Sequence, residues 1–205
     1  MIQEILEHSL KKFITSGYGK VTTDELSGDM GISKKTLYKF FETKDKLIEA
    51  AVDHLMKKVQ AKFDKIINEH KRNSIDRLNE IFFMIAEFGS KMSKDAMKDI
   101  NKHRPDLIQK LLEFRAERVK SLASVIRDGQ ARGEIRKEID PELTIEVFLA
   151  ALNTIMVPGY LINSTHSFDS AFKNIFSIFL TGIEEKKSEK PTEQPAVTQK
   201  PNTLR

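Results

Sequence analysis

Apolar residues recur at helical spacing from one end of the chain to the other. After Thr43, for example, the residues on one side of a predicted helix are Leu47, Ala51, Leu55, Val59, Phe63 and Ile66. No convincing run alternates apolar and polar residues, which is the pattern of a half-buried strand. The chain is therefore predicted to be all-α.

The composition agrees with a soluble helical protein. Of the 205 residues, 40% are hydrophobic and 31% are charged, a profile that excludes a disordered chain. Tryptophan is absent and glycine and proline are few, which favours helices over many short strands. The net charge of +4 permits nucleic-acid binding without requiring it. Whether the chain binds nucleic acid therefore depends on where the charged residues lie along the sequence.

The residue patterns of disulfides, metal sites and common catalytic motifs are missing from the sequence. Without cysteine there is neither a disulfide nor a thiolate metal site, and the five histidines lack a metal-ligand spacing such as HExxH. His166, Ser167 and Asp169 are neighbours in the sequence, whereas a catalytic triad is assembled from distant segments. We therefore expect no enzymatic activity, no metal and no cofactor.

The most apolar window of the chain, residues 143–162, is predicted to be a buried core helix. It carries Glu146, Asn153 and a Pro158-Gly159 break, which argue against a membrane span. The N-terminus lacks the basic flank and apolar run of a signal peptide. We therefore expect a cytoplasmic protein without membrane contact.

Two short helices are predicted after the first one, with a glycine between them. The first is capped by Thr22 or Thr23, and the second runs from its cap Ser33 to about Phe40. Two helices of about two turns, joined by a short turn that contains glycine, are what a helix-turn-helix requires. Gly31 stands where that turn needs a positive φ.

The N-terminal half of the second short helix presents polar side chains once its apolar residues pack inward. Those predicted to face outward are Lys34, Lys35, Thr36, Tyr38 and Lys39. In this motif that end of the helix enters the major groove, where lysine reaches phosphates or guanine and threonine bonds to bases. The cap Ser33 is assigned to the same DNA-binding set. Thr23 and Lys44, each at a helix start, are predicted to clamp the DNA backbone.

A longer series of residues surrounds this motif. In order, it reads Phe13, Gly17-Tyr18, Thr22-Thr23, Leu26, Gly31-Ile32-Ser33, Leu37-Tyr38, Phe41, Lys44 and Leu47. Over roughly residues 2–50, this series resembles the N-terminal signature of the TetR family of bacterial regulators. Phe40 stands where the family often has a polar residue that reaches a phosphate, so that contact is not carried over. Acidic Asp24 and Glu25 lie where the DNA backbone is expected to pass.

The resemblance implies a DNA-binding domain over residues 1–48 and a helical regulatory and dimerisation domain over residues 49–185, with about nine helices in total. Residues 186–205, with three prolines and a polar composition, are predicted to be a disordered tail. The implied function is that of a repressor that binds a near-palindromic operator as a homodimer and is released by a small-molecule effector.

Two predicted helices near the C-terminus carry more apolar residues than one stripe can bury. They are Leu143, Val147, Leu149, Ala150, Leu152, Ile155 and Met156 on one helix, and Phe172, Ile175, Phe176, Phe179 and Leu180 on the other. The resemblance implies that these last two helices form the homodimer, which would place two recognition helices about 34 Å apart. The alternative is that both belong to the core of a monomer.

The resemblance also implies a ligand cavity in the regulatory domain. The candidate lining residues combine apolar bulk with a few polar groups: Phe82, Phe83, Met84, Phe88, Phe114, Asn153, Met156 and Tyr160. A stripe of methionine and phenylalanine at helical spacing is more often plain core. His103 and Arg104, ahead of Pro105, are expected to lie in a solvated loop, with anion binding as the alternative.

Two other interpretations of the basic helix stay open. A Lys-Lys pair alone usually marks only a solvated helix face, and Tyr38 fits either half-buried packing or a phosphate contact. A helical bundle with a purely structural or protein-binding role is the alternative to DNA binding. Because contacts with phosphates release counterions, the salt dependence of binding separates the two.

Overall fold

The computed structural model describes residues 1–185, except for the side chains of residues 88–90. Within this part the chain folds into ten helices, numbered in chain order: α1 (Ile2–Ser16), α2 (Thr23–Asp29), α3 (Lys34–Phe40), α4 (Lys44–Ile67), α5 (Ser74–Ser90), α6 (Lys94–His103), α7 (Pro105–Arg132), α8 (Pro141–Ile155), α9 (Pro158–Leu161) and α10 (Phe168–Ile183). The predicted all-α fold is confirmed. The predicted tail, residues 186–205, and the side chain of Phe88 lie outside the described residues. None of these ten helices has both the length and the apolar character that crossing a membrane requires.

Side-chain caps define where many of the helices begin. In each case a hydroxyl or carboxylate oxygen accepts a hydrogen bond from the amide three residues later. The capping residues are Thr22, Ser33, Thr43, Ser93, Asp140 and Ser167. Each such cap stabilises its helix by about 1 kcal/mol. At α2 the cap is Thr22, which accepts from the amide of Glu25 at 3.1 Å, so Thr23 is the first helical residue.

The described chain has one helix more than predicted. The sequence predicts a helix that opens at Asp140-Pro141 and runs to about Pro158. In the structure this helix ends at Ile155, and Pro158 begins the separate four-residue helix α9. Proline has no amide hydrogen and a fixed φ, so it starts a helix more readily than it continues one.

Because glycine is unfavourable within a helix, the sequence predicts a connector between Gly129 and Gly133, and this prediction is wrong at its first end. Helix α7 continues through Gly129 to Arg132 and ends at Gly133, which has a φ of 70°. A Cβ atom at Gly129 would lie 2.7 Å from Cδ1 of Ile135. The glycine therefore lets the chain after α7 fold back closely against the helix.

Buried apolar side chains form two clusters. The N-terminal cluster joins α1–α4 to the start of α7. Its central members include Phe13, Leu26, Leu37, Leu47 and Leu107. The C-terminal cluster is built mainly from α4, α5, α7, α8 and α10. Because α4 and α7 contribute to both clusters, they connect the short helices to the larger bundle. The predicted boundary after residue 48 falls inside α4, which crosses it without a break.

Phe82 lies at the centre of the C-terminal cluster. Its ring centroid is 4.1 Å from that of Phe176 and 5.0 Å from that of Phe148. The rings of Phe172 and Phe179 follow at 5.9 and 6.1 Å. Such aromatic pairs contribute about 0.5–1.5 kcal/mol each beyond burial alone. Phe82, a candidate lining residue in the sequence, is therefore a core residue.

A buried arginine closes the junction between α4 and α5. Arg77 is fully buried. Its Nε donates to the carbonyl of Ile66 at 3.1 Å, and its other nitrogens donate to the carbonyl of Ile67 and to Asp128 Oδ2, the latter at 2.8 Å. The last carbonyls of a helix have no amide partner within it. Arg77 therefore satisfies the end of α4 and ties it to α7.

Candidate functional site

Helices α2 and α3 form a helix-turn-helix around a left-handed glycine. Gly31 has a φ of 64°. The amide of Gly31 donates to the carbonyl of Gly28 at 3.1 Å, and the amide of Ile32 donates to that of Ser27 at 3.0 Å. Leu26 and Leu37 are buried on the inner sides of the two helices. Because α3 packs through Leu37, its opposite face is left to the solvent.

The solvent-facing side of α3 carries most of the predicted DNA-binding residues. Ser33, Lys34, Lys35, Tyr38 and Lys39 are exposed, and Thr36 is half-buried. Ser33 caps the helix by accepting from the amide of Thr36 at 3.0 Å. The structure thus places three lysines and the start of a helix on one surface, which we call the α3 face (residues 33–39). Such a surface suits contact with phosphates and base edges.

Tyr38 and Thr23 meet at the edge of the α3 face. Their hydroxyl oxygens are 3.2 Å apart, within hydrogen-bond distance. Thr23 is buried, whereas Tyr38 is 40% exposed. Thr23 therefore orients the phenol, and the exposed part of Tyr38 is open to the solvent beside the lysines.

The acidic residues of α2 are paired with cations of the same domain. Lys34 Nζ lies 2.8 Å from Asp24 Oδ2, and Lys12 Nζ of α1 lies 3.0 Å from Glu25 and 2.6 Å from Asp29. The hydrogen bond to Asp24 raises the pKa of Lys34. The negative charges that the sequence places beside the expected path of DNA are therefore balanced by neighbouring lysines.

Lys44 is less accessible than the lysines of α3. It begins α4 after the cap Thr43, and its ammonium lies 4.2 Å from the centroid of the Tyr18 ring. Burial is the main influence on this half-buried amine and lowers its pKa. The phenol of Tyr18 donates to Asp45 Oδ1 at 2.8 Å.

Arg104 is the functional candidate whose environment sequence reasoning missed. It is buried rather than part of a solvated loop. It donates to Asp45 at 2.9 Å, to Glu49 at 3.0 Å and to Asp106 at 3.0 and 2.7 Å. Its pKa is raised, first by the hydrogen bond to Asp106. Arg104 thus joins the start of α4 to the start of α7. The only sign of this environment in the sequence was a pair of carboxylates, Asp45 and Glu49, one turn apart on the predicted α4.

Helix α6 also contacts the N-terminal helices. The amide of Gly19 donates to Asp99 Oδ2 at 2.5 Å. The hydroxyl of Ser93 donates to the carbonyl of Thr15 at 3.0 Å. One face of α6 therefore holds the loop that leads from α1 to the helix-turn-helix.

A cavity of about 180 Å³ lies between α4, α5, α6 and α7, and Met156, Pro158 and Phe168 also contribute to its wall. Its lining is almost wholly apolar. The lining residues are Leu55, Met56, Val59, Phe63, Met84, Ile85, Met92, Met97, Ile108, Leu111, Leu112, Phe114, Arg115, Arg118, Met156, Pro158 and Phe168. A cavity with such walls and a few polar groups is typical of a small-molecule site.

The structure brings only some of the predicted pocket residues to this cavity. Phe114, Met156 and Met84 line it. Phe83 is 69% exposed and Tyr160 is exposed, and neither belongs to the lining. Asn153 is also exposed, and its side-chain oxygen accepts from Arg115 at 2.9 Å. Helical spacing cannot distinguish the inner side of a helix from its outer side when both carry apolar residues.

Helices α8 and α10 leave apolar side chains on the surface. Ile145, Phe148 and Leu152 of α8 are buried in the C-terminal cluster, as is Phe172 of α10. Large apolar residues on the other sides of these helices are exposed: Leu143, Val147 and Ile178. We call these three residues the α8–α10 face. Exposed apolar surface of this kind often marks an interface.

Comparisons with known proteins match this arrangement. Residues 5–51 match the family model of bacterial regulatory proteins of the tetR family. The uncharacterized HTH-type transcriptional regulator YvaF of Bacillus subtilis is 20% identical over 183 residues, which cover 89% of this chain and 95% of that protein. That relative is an HTH-type transcriptional regulator, in agreement with the predicted class of function.

Solved structures share the fold. A transcriptional regulator from Cytophaga hutchinsonii superposes with a TM-score of 0.63 at 22% identity, covering 88% of this chain and 97% of that one. The ketosteroid transcriptional regulator KstR2 of Mycobacterium tuberculosis superposes with a TM-score of 0.56 at 18% identity, covering 90% and 95%. The family match thus identifies residues 5–51 as the DNA-binding helix-turn-helix of tetR-family regulators, and the solved structures show that the chain as a whole shares their fold.

Proposed function

We propose that this regulator is a repressor that binds a near-palindromic operator as a homodimer and leaves DNA when a small-molecule effector binds. The observation that carries the proposal is the α3 face: three exposed lysines and a helix N-terminus on the second helix of a helix-turn-helix. In this motif the N-terminal end of the second helix enters the major groove.

The proposed DNA contacts fall into two groups. Lys34, Lys35, Thr36 and Lys39 reach base edges and phosphates in the groove, because their side chains are carried by α3 itself. Ser33, Thr23, Tyr38 and Lys44 bind the flanking backbone. The geometry supports Tyr38 most among these, since its phenol is both oriented by Thr23 and exposed.

The proposed dimer forms through the α8–α10 face. Two copies packed through this face bury Leu143, Val147 and Ile178, which the single chain leaves in water. A twofold-symmetric pair of such helices forms a four-helix interface. Dimerisation gives the regulator two α3 faces and therefore two half-sites.

The proposed effector site is the cavity between α4 and α7. Leu55, Met56 and Val59 of α4 line it, and α4 begins directly after the helix-turn-helix. Met97 of α6 also lines it, and Asp99 on the same helix holds Gly19 in the loop between α1 and α2. A ligand that favours a different position of α4 or α6 shifts the population towards dimers whose α3 faces are wrongly spaced for DNA. Such a regulator acts in the cytoplasm.

Selection of bound fragments from the genome of the source organism tests this function. We expect enrichment of a near-palindrome whose half-sites are centred about 34 Å apart, occupied by two chains. Expression of the adjacent gene should rise when the regulator is deleted. Failure to enrich any fragment contradicts DNA binding, enriched sites without dyad symmetry contradict the dimer, and a fall in expression contradicts repression.

A further inference from the structure

The cavity between α4 and α7 is lined by two cationic side chains and by no anionic one. Of its lining residues, only Arg115 and Arg118 are charged. They lie three residues apart on α7, so their side chains are neighbours on one side of the helix. Like charges at this spacing destabilise a helix unless something balances them.

Arg115 is held only by neutral groups in the described part of the chain. It donates to the carbonyl of Met156 at 3.0 Å and to the side-chain oxygen of Asn153 at 2.9 Å. Its Nε is buried and has no hydrogen-bond acceptor. Burial lowers the pKa of Arg115 to about 10. Arg115 is half-buried, and withdrawing a cation from water without a counterion is costly.

Arg118, three residues further along α7, is paired with an acidic residue but shares one feature with Arg115. Its guanidinium lies 4.4 Å from the centroid of the Phe114 ring, and its outer nitrogen contacts Glu117 at 3.1 Å. Its Nε, like that of Arg115, is buried without an acceptor. Two unsatisfied N–H donors with positive charge therefore adjoin the same apolar space.

The rest of the cavity lining is suited to a ligand with a hydrocarbon body. Five of the seven methionines of the chain line the cavity. Methionine side chains are unbranched, flexible and polarizable, so they adapt to apolar ligands of varied shape. The cavity thus combines a cationic end with adaptable apolar walls.

We infer that the cavity binds an anionic amphiphile, a carboxylate on a largely hydrocarbon body, with the carboxylate beside Arg115 and Arg118. The carboxylate supplies the acceptors that both Nε atoms lack, and charge-assisted bonds to arginine are the strong kind. A neutral head group leaves the charge of Arg115 without a counterion, and a cationic one is repelled. The role of such a ligand as effector rests on the proposed function, whereas its binding does not.

Isothermal titration calorimetry on the full chain without DNA tests the inference. The probes are decanoate, decanol and decylamine, which share one chain and differ in the head group. We expect decanoate to bind at least about tenfold more tightly than decanol, since one charge-assisted contact is worth that factor, and decylamine to bind most weakly. Naphthoate in a parallel titration shows whether a ring or a straight chain fits better, and tight binding of either carboxylate supports the inference. Equal affinity for decanoate and decanol overturns it, as does failure of both carboxylates to bind.

Two variants separate binding from structural support. Arg115→Met should reduce the affinity for decanoate to that for decanol and leave decanol unchanged, while Arg115→Lys should keep part of the preference. Arg127→Met is the matched control, because Arg127 is an exposed arginine of the same helix that pairs with Glu142. Since Arg115 also holds the end of α8, Arg118→Met gives the same test if Arg115→Met does not fold. A preference for decanoate that survives in both folded variants overturns the inference.

The DNA arm of the experiment distinguishes this inference from the proposed function. Decanoate added to the complex with the selected operator should release wild-type protein but not Arg115→Met. Calorimetric binding without release supports the site and contradicts the effector role. Release without calorimetric binding contradicts the site.

Discussion

At the scale of single residues, the phenol of Tyr18 reports on the contact between the N-terminal helices and α7. Burial raises the pKa of Tyr18 to about 12, the hydrogen bond to Asp45 adds to the shift, and Arg104 opposes it. Because the pKa in the folded state lies above the ordinary value of 10, the stabilisation is complete below pH 10 and is lost as the pH rises through about 12. The difference between the phenolate absorbance titrations of wild type and Tyr18→Phe should have its midpoint near 12. A midpoint at 10 would contradict the described contacts.

Arg77 is the residue whose loss should cost the most stability. Arg77→Met leaves the carbonyl of Ile67 without its donor, and it removes one of the donors to the carbonyl of Ile66 and to Asp128. Breaking such a buried pair costs about 3–5 kcal/mol, so the free energy of unfolding in urea should fall by that amount. Arg127→Met, at an exposed ion pair of α7, should change it by less than about 1 kcal/mol. Similar losses in the two variants would mean that Arg77 does not hold the end of α4.

At the scale of elements, alanine substitutions at two glycines of the helix-turn-helix should change the stability of the protein in opposite directions. A Cβ atom at either Gly28 or Gly31 meets nothing within 4 Å, so the backbone conformation alone decides whether alanine stabilises or destabilises the protein. Gly31→Ala should destabilise by about 1–2 kcal/mol, because its φ of 64° is left-handed. Gly28→Ala, within α2, should stabilise by up to about 1 kcal/mol. Urea unfolding of both variants checks this, and a shift of the same sign in both would refute the assigned turn.

Helix starts could be predicted from the sequence better than helix ends. Caps such as Ser33 and Asp140 act on amides only three residues away, so the local sequence contains the whole signal. The end of α7 depends instead on Ile135, which packs against Gly129 only after the chain has turned back. The α3 face was likewise predictable, because one buried residue, Leu37, determines the orientation of a two-turn helix. The burial of the arginines of the cavity could not be predicted from the sequence, because it depends on α8 packing beside α7.

At the scale of the whole molecule, the sequence could not assign the apolar residues of α8 and α10 to core or surface. Leu152 and Phe172 pack inside, whereas Val147 and Ile178 are exposed. If the exposed set forms the dimer, a Val147→Glu, Ile178→Glu double variant should sediment near 23.5 kDa instead of twice that mass. Its helical content should persist, because neither side chain supports the core. Ile2→Glu removes an exposed apolar side chain of α1 and should remain dimeric. A dimeric double variant would place the interface elsewhere.

DNA recognition by the α3 face is tested most directly by the salt dependence of binding to the selected operator. For wild type, log K should fall steeply with log salt, by about 0.9 for each phosphate contact. The Lys34→Ala, Lys35→Ala variant should bind at least about tenfold more weakly at low salt, with a slope shallower by about 1–2. The Lys62→Ala, Lys65→Ala variant removes the same charge from exposed positions of α4 and should match wild type in both affinity and slope. Equal affinity and slope in the two double variants would contradict the assignment of DNA binding to α3.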